Sequence, residues 1–214
     1  MNYSTFRKKT QKQPLILTHN ILMGGKEDKQ AILNQLKRWQ DKGLITKLRR
    51  GIFVLNSHDL KISPSMTYIA NQLYGPSYVS LEYALSYYGL IPERATDLTS
   101  ITTKKTQNFK NKLGVFTFQH IKREGFRGFT ALKDDAGLTF FMAEPEKAIL
   151  DLFYLGMSKF REKNYESMFE DFYRLQNIEM LSQKKLLKFA NLFSSKKLLK
   201  ITDALCAYIE KEGI

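Results

Sequence analysis

Gln30 and Asn34 stand four residues apart in the stretch KQAILNQLKRWQD, so an α-helix there would carry both amides on one face. Such amides suit the edge of an adenine, which offers an acceptor at N7 and a donor at N6. Lys26, Lys29, Lys37, Arg38 and Lys42 lie around that face, and Lys47, Arg49 and Arg50 follow shortly after. Cations at this density match phosphate groups, which give affinity and register without reading base sequence. The chemistry these residues offer is binding of a polyanion with a few polar groups left over for base edges.

One other segment invites a catalytic reading. Glu144, Glu146 and Lys147 fall in the sequence EPEK at an expected strand-to-helix junction. Two carboxylates beside a lysine resemble the parts of a site that would hold Mg²⁺ and cleave a phosphodiester. The usual nuclease pattern, however, wants an acid, one spacer and a lysine on a strand, and Pro145 occupies the acid's place. Asp97, Asp134 or Asp135 would have to supply a further acid. The competing reading is structural: Glu144 and Glu146 complement the positive end of the helix, and Pro145 fits its first turn. A Mg²⁺-dependent nuclease centred on residues 144–147 is therefore the alternative, and a non-enzyme is the expectation.

Nothing else in the chain has the spacing of a reactive site. His19, His58 and His120 are isolated, no Cys or His pair is spaced for a metal, and no phosphate-cradling glycine loop or GxSxG elbow occurs. No cofactor and no metal are expected. The single cysteine, Cys206, has no internal partner, which points to a reducing, cytoplasmic setting. No apolar run approaches the ~18 residues that a membrane span needs, so no membrane partner is expected.

The elements that must position the polar face follow from turn and cap signals. Residues 3–12 read as a polar first helix anchored by Phe6 and stopped before Pro14. Residues 15–17 read as a short extended piece, and 18–23 as a second helix capped by Thr18. Gly24 and Gly25 then make a turn into a third helix, whose inner face is Ile32, Leu33, Leu36 and Trp39. Gly43 ends that helix, because a left-handed residue there suits glycine. Residues 44–50 and 51–55 read as two strands with Arg49, Arg50 and Gly51 at or near their turn. Helix, helix, turn, helix and basic hairpin in this order outline a winged helix-turn-helix over residues 1–57.

The charge agrees with that division. The 214-residue chain carries a net charge of +13, and residues 1–61 hold thirteen basic residues against four acidic ones. After a polar linker at 56–63, residues 64–214 read as a larger α+β domain. It is expected to start with a helix at Ser63-Pro64 and to continue with a helix capped by Ser77 or Ser80. Strands at 98–102, 115–121, 126–132 and 138–142 follow, paired mainly antiparallel, before a helical C-terminal part. Residues 148–155 are apolar on nearly all sides and read as a buried helix, and 165–173 as an amphipathic one. Tyr83 and Tyr87 are candidates for a partner surface.

Residues 78–93 (YVSLEYALSYYGLIPE), 99–103 (TSITT) and 142–155 (MAEPEKAILDLFYL), following RRGIFVL at 49–55, together resemble the AbiE-type (AbiEi) antitoxins. These belong to abortive-infection, or type IV toxin–antitoxin, systems. The resemblance runs over residues 26–156 in order, and the remainder matches only as a helical tail. It implies a transcriptional regulator of phage defence in bacteria that represses its own operon at inverted repeats in double-stranded DNA. It also implies action against a nucleotidyltransferase-like toxin without a stable complex. No catalytic residues come with it. Lys184, Lys185, Lys188, Lys196, Lys197 and Lys200 are then candidates for added DNA contact or for the antitoxin act.

Overall fold

The computed structural model describes residues 2–23, 28–160 and 165–212. Gly24, Gly25 and Lys26, assigned above to the turn and the cationic surround, lie outside the described residues.

Helix α1 (Tyr3–Thr10) starts at Asn2, whose side chain accepts from the Thr5 N–H at 2.9 Å. Strand β1 (Ile16–Leu17) leads directly into α2 (Thr18–Met23). Thr18 does not cap α2 through its side chain. Its Oγ1 is buried without a partner among the described residues, and its N–H donates to the Gly51 carbonyl at 2.9 Å. Helix α3 (Lys29–Asp41) is capped by Asp28, which accepts from the Ala31 N–H at 3.0 Å. Ile32, Leu36 and Trp39 are buried, but Leu33 is 37% exposed. At about 100° per residue, Leu33 lies roughly a quarter-turn away from the centre of the other three. Gly43 adopts φ +70° and ends the helix as expected. Leu44 then donates its N–H to the Trp39 carbonyl at 2.9 Å, so strand β2 begins one residue later (Ile45–Arg49). Arg50 and Gly51 form the turn into β3 (Ile52–Leu55).

These strands form a sheet of order β1-β3-β2, antiparallel throughout. Lys47 faces Phe53 and Arg49 faces Ile52, so Leu48 is the extra residue of a bulge. Strand β3 is buried on both faces. Phe53 and Leu55 join a small core with Phe6, Ile16, Ile32, Leu36, Trp39 and Ile45. Ile52 and Val54, with Leu48, enter the large core of the remaining chain. Residues 56–63, expected as a linker, are strapped to α1. Tyr3 Oη donates to Asp59 at 2.6 Å, Arg7 at 2.9 Å, and the Lys61 N–H reaches the Gln11 carbonyl at 2.9 Å.

Helix α4 (Met66–Leu73) is capped by Ser65 rather than by Ser63-Pro64. Asp134 accepts the Ser65 N–H at 3.0 Å, while Ser65 Oγ accepts from the Tyr68 N–H at 3.1 Å. The chain continues as β4 (Ser77–Val79), α5 (Leu81–Tyr87), β5 (Leu98–Thr102), β6 (Gln107–Asn111), β7 (Gly114–His120), β8 (Phe129–Lys133) and β9 (Thr139–Ala143). Helices α6 (Pro145–Leu155), α7 (Tyr165–Ser167), α8 (Gln183–Asn191) and α9 (Lys196–Glu212) complete it. The fold is α+β.

The larger sheet runs β6-β7-β5-β4-β9-β8 and is mixed, with three of its five pairings antiparallel, as expected. Strands β5 and β7 pair in parallel, as do β4 and β9. β7 and β8, successive strands without a long helix between them, sit far apart because β4 occupies the middle. All three residues of β4 are buried, which requires a neighbour on either side. Segment 165–173 also departs from expectation. After α7 the backbone widens into a π-turn over Met168–Phe172, which buries Phe169 and leaves Phe172 54% exposed.

The hydrogen bonds from Tyr3 and Arg7 hold the Asp59 carboxyl below its ordinary pKa. Its stabilising contribution is therefore present above the usual carboxylate range and lost as pH falls through the depressed value. Asp59→Asn should cost ~1 kcal/mol at neutral pH. In urea denaturation the gap between the two proteins should close at acidic pH.

Candidate nucleic-acid interface

The outer face of α3 carries Lys29, Gln30, Asn34, Lys37, Arg38 and Asp41, with Lys42 at its C-cap, all exposed. Gln30 Nε2 donates to Asn34 Oδ1 at 3.0 Å, so the two amides hold one another in place. That bond leaves Gln30 Oε1 as an acceptor and Asn34 Nδ2 as a donor. The small core fixes how the face is presented. Trp39 packs on Phe6 at 4.5 Å and on Tyr3 at 5.6 Å between ring centroids, which holds α3 against α1.

Beside α3, the β2–β3 hairpin presents Lys47 and Arg50 exposed and Arg49 half-buried. The bulge explains this split: Leu48 turns into the large core, and its neighbours are turned away from it. Lys26 lies outside the described residues. Thus the structure gathers the other nine sequence-selected residues on α3, its C-cap and the hairpin next to it.

Two residues were not foreseen. β2 packs on β6, and Asn111 Nδ2 donates to the Leu48 carbonyl at 3.2 Å. This brings Lys110 and Lys112 to the hairpin across an open cleft of about 460 Å³ that is also bordered by Gln40 and Asn108. Among the described residues, no carboxylate lines this cleft. A second cleft, about 870 Å³ between α5 and the end of α6, instead mixes Glu82, Glu93 and Asp97 with Arg94 and Lys159. Only the first has the single sign that attracts a polyanion.

The EPEK segment does not form one site. Glu144 pairs with Lys185 at 2.7 Å, and Glu146 Oε1 accepts the Ser182 N–H at 3.0 Å. Lys147 turns inward to Asp151, and both side chains are 0% exposed. Asp151 also accepts from Tyr78 Oη at 2.9 Å and Ser80 Oγ at 2.8 Å, while Lys147 Nζ donates to Tyr78 Oη at 2.8 Å. Ser80 precedes α5 but caps it with no side-chain bond, because its hydroxyl is committed to Asp151. Burial pushes the Lys147 pKa down and the Asp151 pKa up, and the charge of each opposes the other's shift. Asp134 is engaged by the N–H groups of Ser65, Ala136 and Leu138. Among the described residues, no cluster of His, Cys, Asp or Glu is arranged to hold a metal ion. No helix among them is long and apolar enough to cross a membrane.

Of the C-terminal lysines, Lys185 is committed to Glu144, whereas Lys184, Lys188, Lys196 and Lys197 are exposed. Tyr83 is half-buried and Tyr87 is 60% exposed, its ring edge-on to Tyr88. No family model matches the chain, and no curated protein matches it.

Lys147→Met leaves Asp151 buried without its cation and should cost ~3–5 kcal/mol in denaturant unfolding. The double change Lys147→Met/Asp151→Leu should recover part of that loss. A double variant less stable than the single one would contradict a charge-pairing origin.

Proposed function

We propose that the chain is a sequence-specific DNA-binding repressor of its own operon, acting as the antitoxin of a type IV toxin–antitoxin pair. In this reading residues 1–57 are a winged helix-turn-helix. α3 enters the major groove, and the β2–β3 hairpin is the wing on the backbone. The observation that carries the reading is the outer face of α3: two mutually bonded amides ringed by cations, beside a basic hairpin. Gln30 Oε1 and Asn34 Nδ2 offer one acceptor and one donor, the complement of adenine N6 and N7. Lys29, Lys37, Arg38, Lys47, Arg49 and Arg50 then hold phosphates. The antitoxin half, with a nucleotidyltransferase-like toxin as its counterpart, rests on the ordered sequence resemblance over residues 26–156.

The DNA reading is tested by titrating the full chain against the duplex upstream of its own operon and against random duplex. Binding should be tighter to the former. Arg50→Ala should weaken both alike and reduce the salt slope by ~1, while Asn34→Ala should lose ~1–3 kcal/mol of discrimination. Equal affinity of the unaltered protein for both duplexes would overturn sequence-specific repression. The antitoxin reading is tested by co-expression with the adjacent toxin gene, which should restore growth; growth arrest that the chain does not relieve would overturn it.

A further inference from the structure

We propose that the β6–β7 hairpin is a second clamp on the sugar–phosphate backbone, with Lys110 and Lys112 gripping duplex DNA across the cleft from the β2–β3 hairpin. The proposal rests on the DNA reading above and extends the contact surface into the larger unit.

Five cations line this cleft: Lys47, Arg49 and Arg50 from one hairpin, Lys110 and Lys112 from the other. None of the five has a carboxylate partner among the described residues. Like charges gathered in this way repel one another, and an anion placed among them removes the repulsion. The two groups lie about sixty residues apart in sequence and converge because β2 packs on β6 and Asn111 bonds to Leu48. The convergence is thus fixed by backbone packing, not by flexible lysines finding one another.

Arg49 is half-buried, and its Nε is buried without a hydrogen-bond partner among the described residues, so packing holds this side chain at the border of the cleft. The shape also selects the ligand. An open trough bordered by neutral amides, Gln40 and Asn108, suits a chain of phosphates running through it better than a small enclosed anion. Gln40 belongs to α3, so the trough is continuous with the helix assigned to the major groove.

The test uses the full chain and measures the dependence of duplex affinity on salt by fluorescence anisotropy. Lys110→Ala/Lys112→Ala should reduce the slope of log K against log salt by about 1.8, from ~0.9 for each phosphate contact. Affinity at physiological salt should fall ~tenfold for upstream and random duplex alike, with their ratio unchanged. Lys122→Ala/Lys133→Ala, which removes the same charge from exposed positions outside the cleft, is the control. A control loss equal to that of the hairpin variant would make the effect one of net charge and overturn the proposal. If Arg50→Ala weakens binding and the hairpin variant does not, the second clamp fails while the DNA reading stands. If the unaltered protein binds neither duplex, the DNA reading itself fails. Loss of single-stranded RNA binding with duplex binding intact would assign the cleft to another nucleic acid and overturn the proposal.

Discussion

The larger unit is organised around a lysine and an aspartate that never meet water. Lys147 and Asp151 lie one turn apart on α6, with Tyr78 and Ser80 of the central strand region closing the remaining valences of Asp151. Removing two charges from solvent is expensive, and the cost is offset only when each hydrogen-bonding direction is met. That requirement fixes how α6 seats on the sheet. Gly128, at φ +80°, lets the backbone come close: a Cβ there would sit 3.1 Å from Lys147 Cγ and 3.0 Å from Phe189. Phe193 lies beneath the ammonium, 4.6 Å from Nζ to its ring centroid, and so ties α8's end to the same point. A hydrophobic substitute would pack there in several ways, whereas the ion pair accepts one arrangement.

The sequence made the helices and the small N-terminal unit largely legible, because caps and stops act locally. Gly43 and Pro145 each mark an end through the atoms of one residue. What was not legible depends on distant partners. β4 is three residues long, and β6 (QNFKN) contains one apolar residue, so neither shows the alternation of a strand. The mixed order of the sheet follows from β4 taking its centre, which no local pattern announces. Asp151 was hidden inside an apolar helix, and its one visible signal was its position four residues after Lys147. The run IFVL at 52–55 did carry a signal of burial on both faces, since an exposed hairpin strand would alternate.

The same contrast applies to the candidate interface. The polar face of α3 could be read from helical period alone, as could the cations of the adjoining hairpin. Lys110 and Lys112 look like ordinary solvated lysines in the sequence. Their meaning comes from β6 packing beside β2, a contact between segments that the sequence places in separate parts. Charge composition had indicated that the first 61 residues hold most of the excess. It could not indicate that the larger unit contributes two cations to the same cleft.

A strand covered on both sides also has a mechanical consequence. Because Ile52 and Val54 belong to the large core while Phe53 and Leu55 belong to the small one, β3 behaves as a shared beam and not as a tether. A ligand of the larger unit that changed the seating of β3 would, by linkage, be coupled to any ligand held on the α3 face, each altering the other's affinity by the same factor. Four consecutive side chains are where such a coupling would pass.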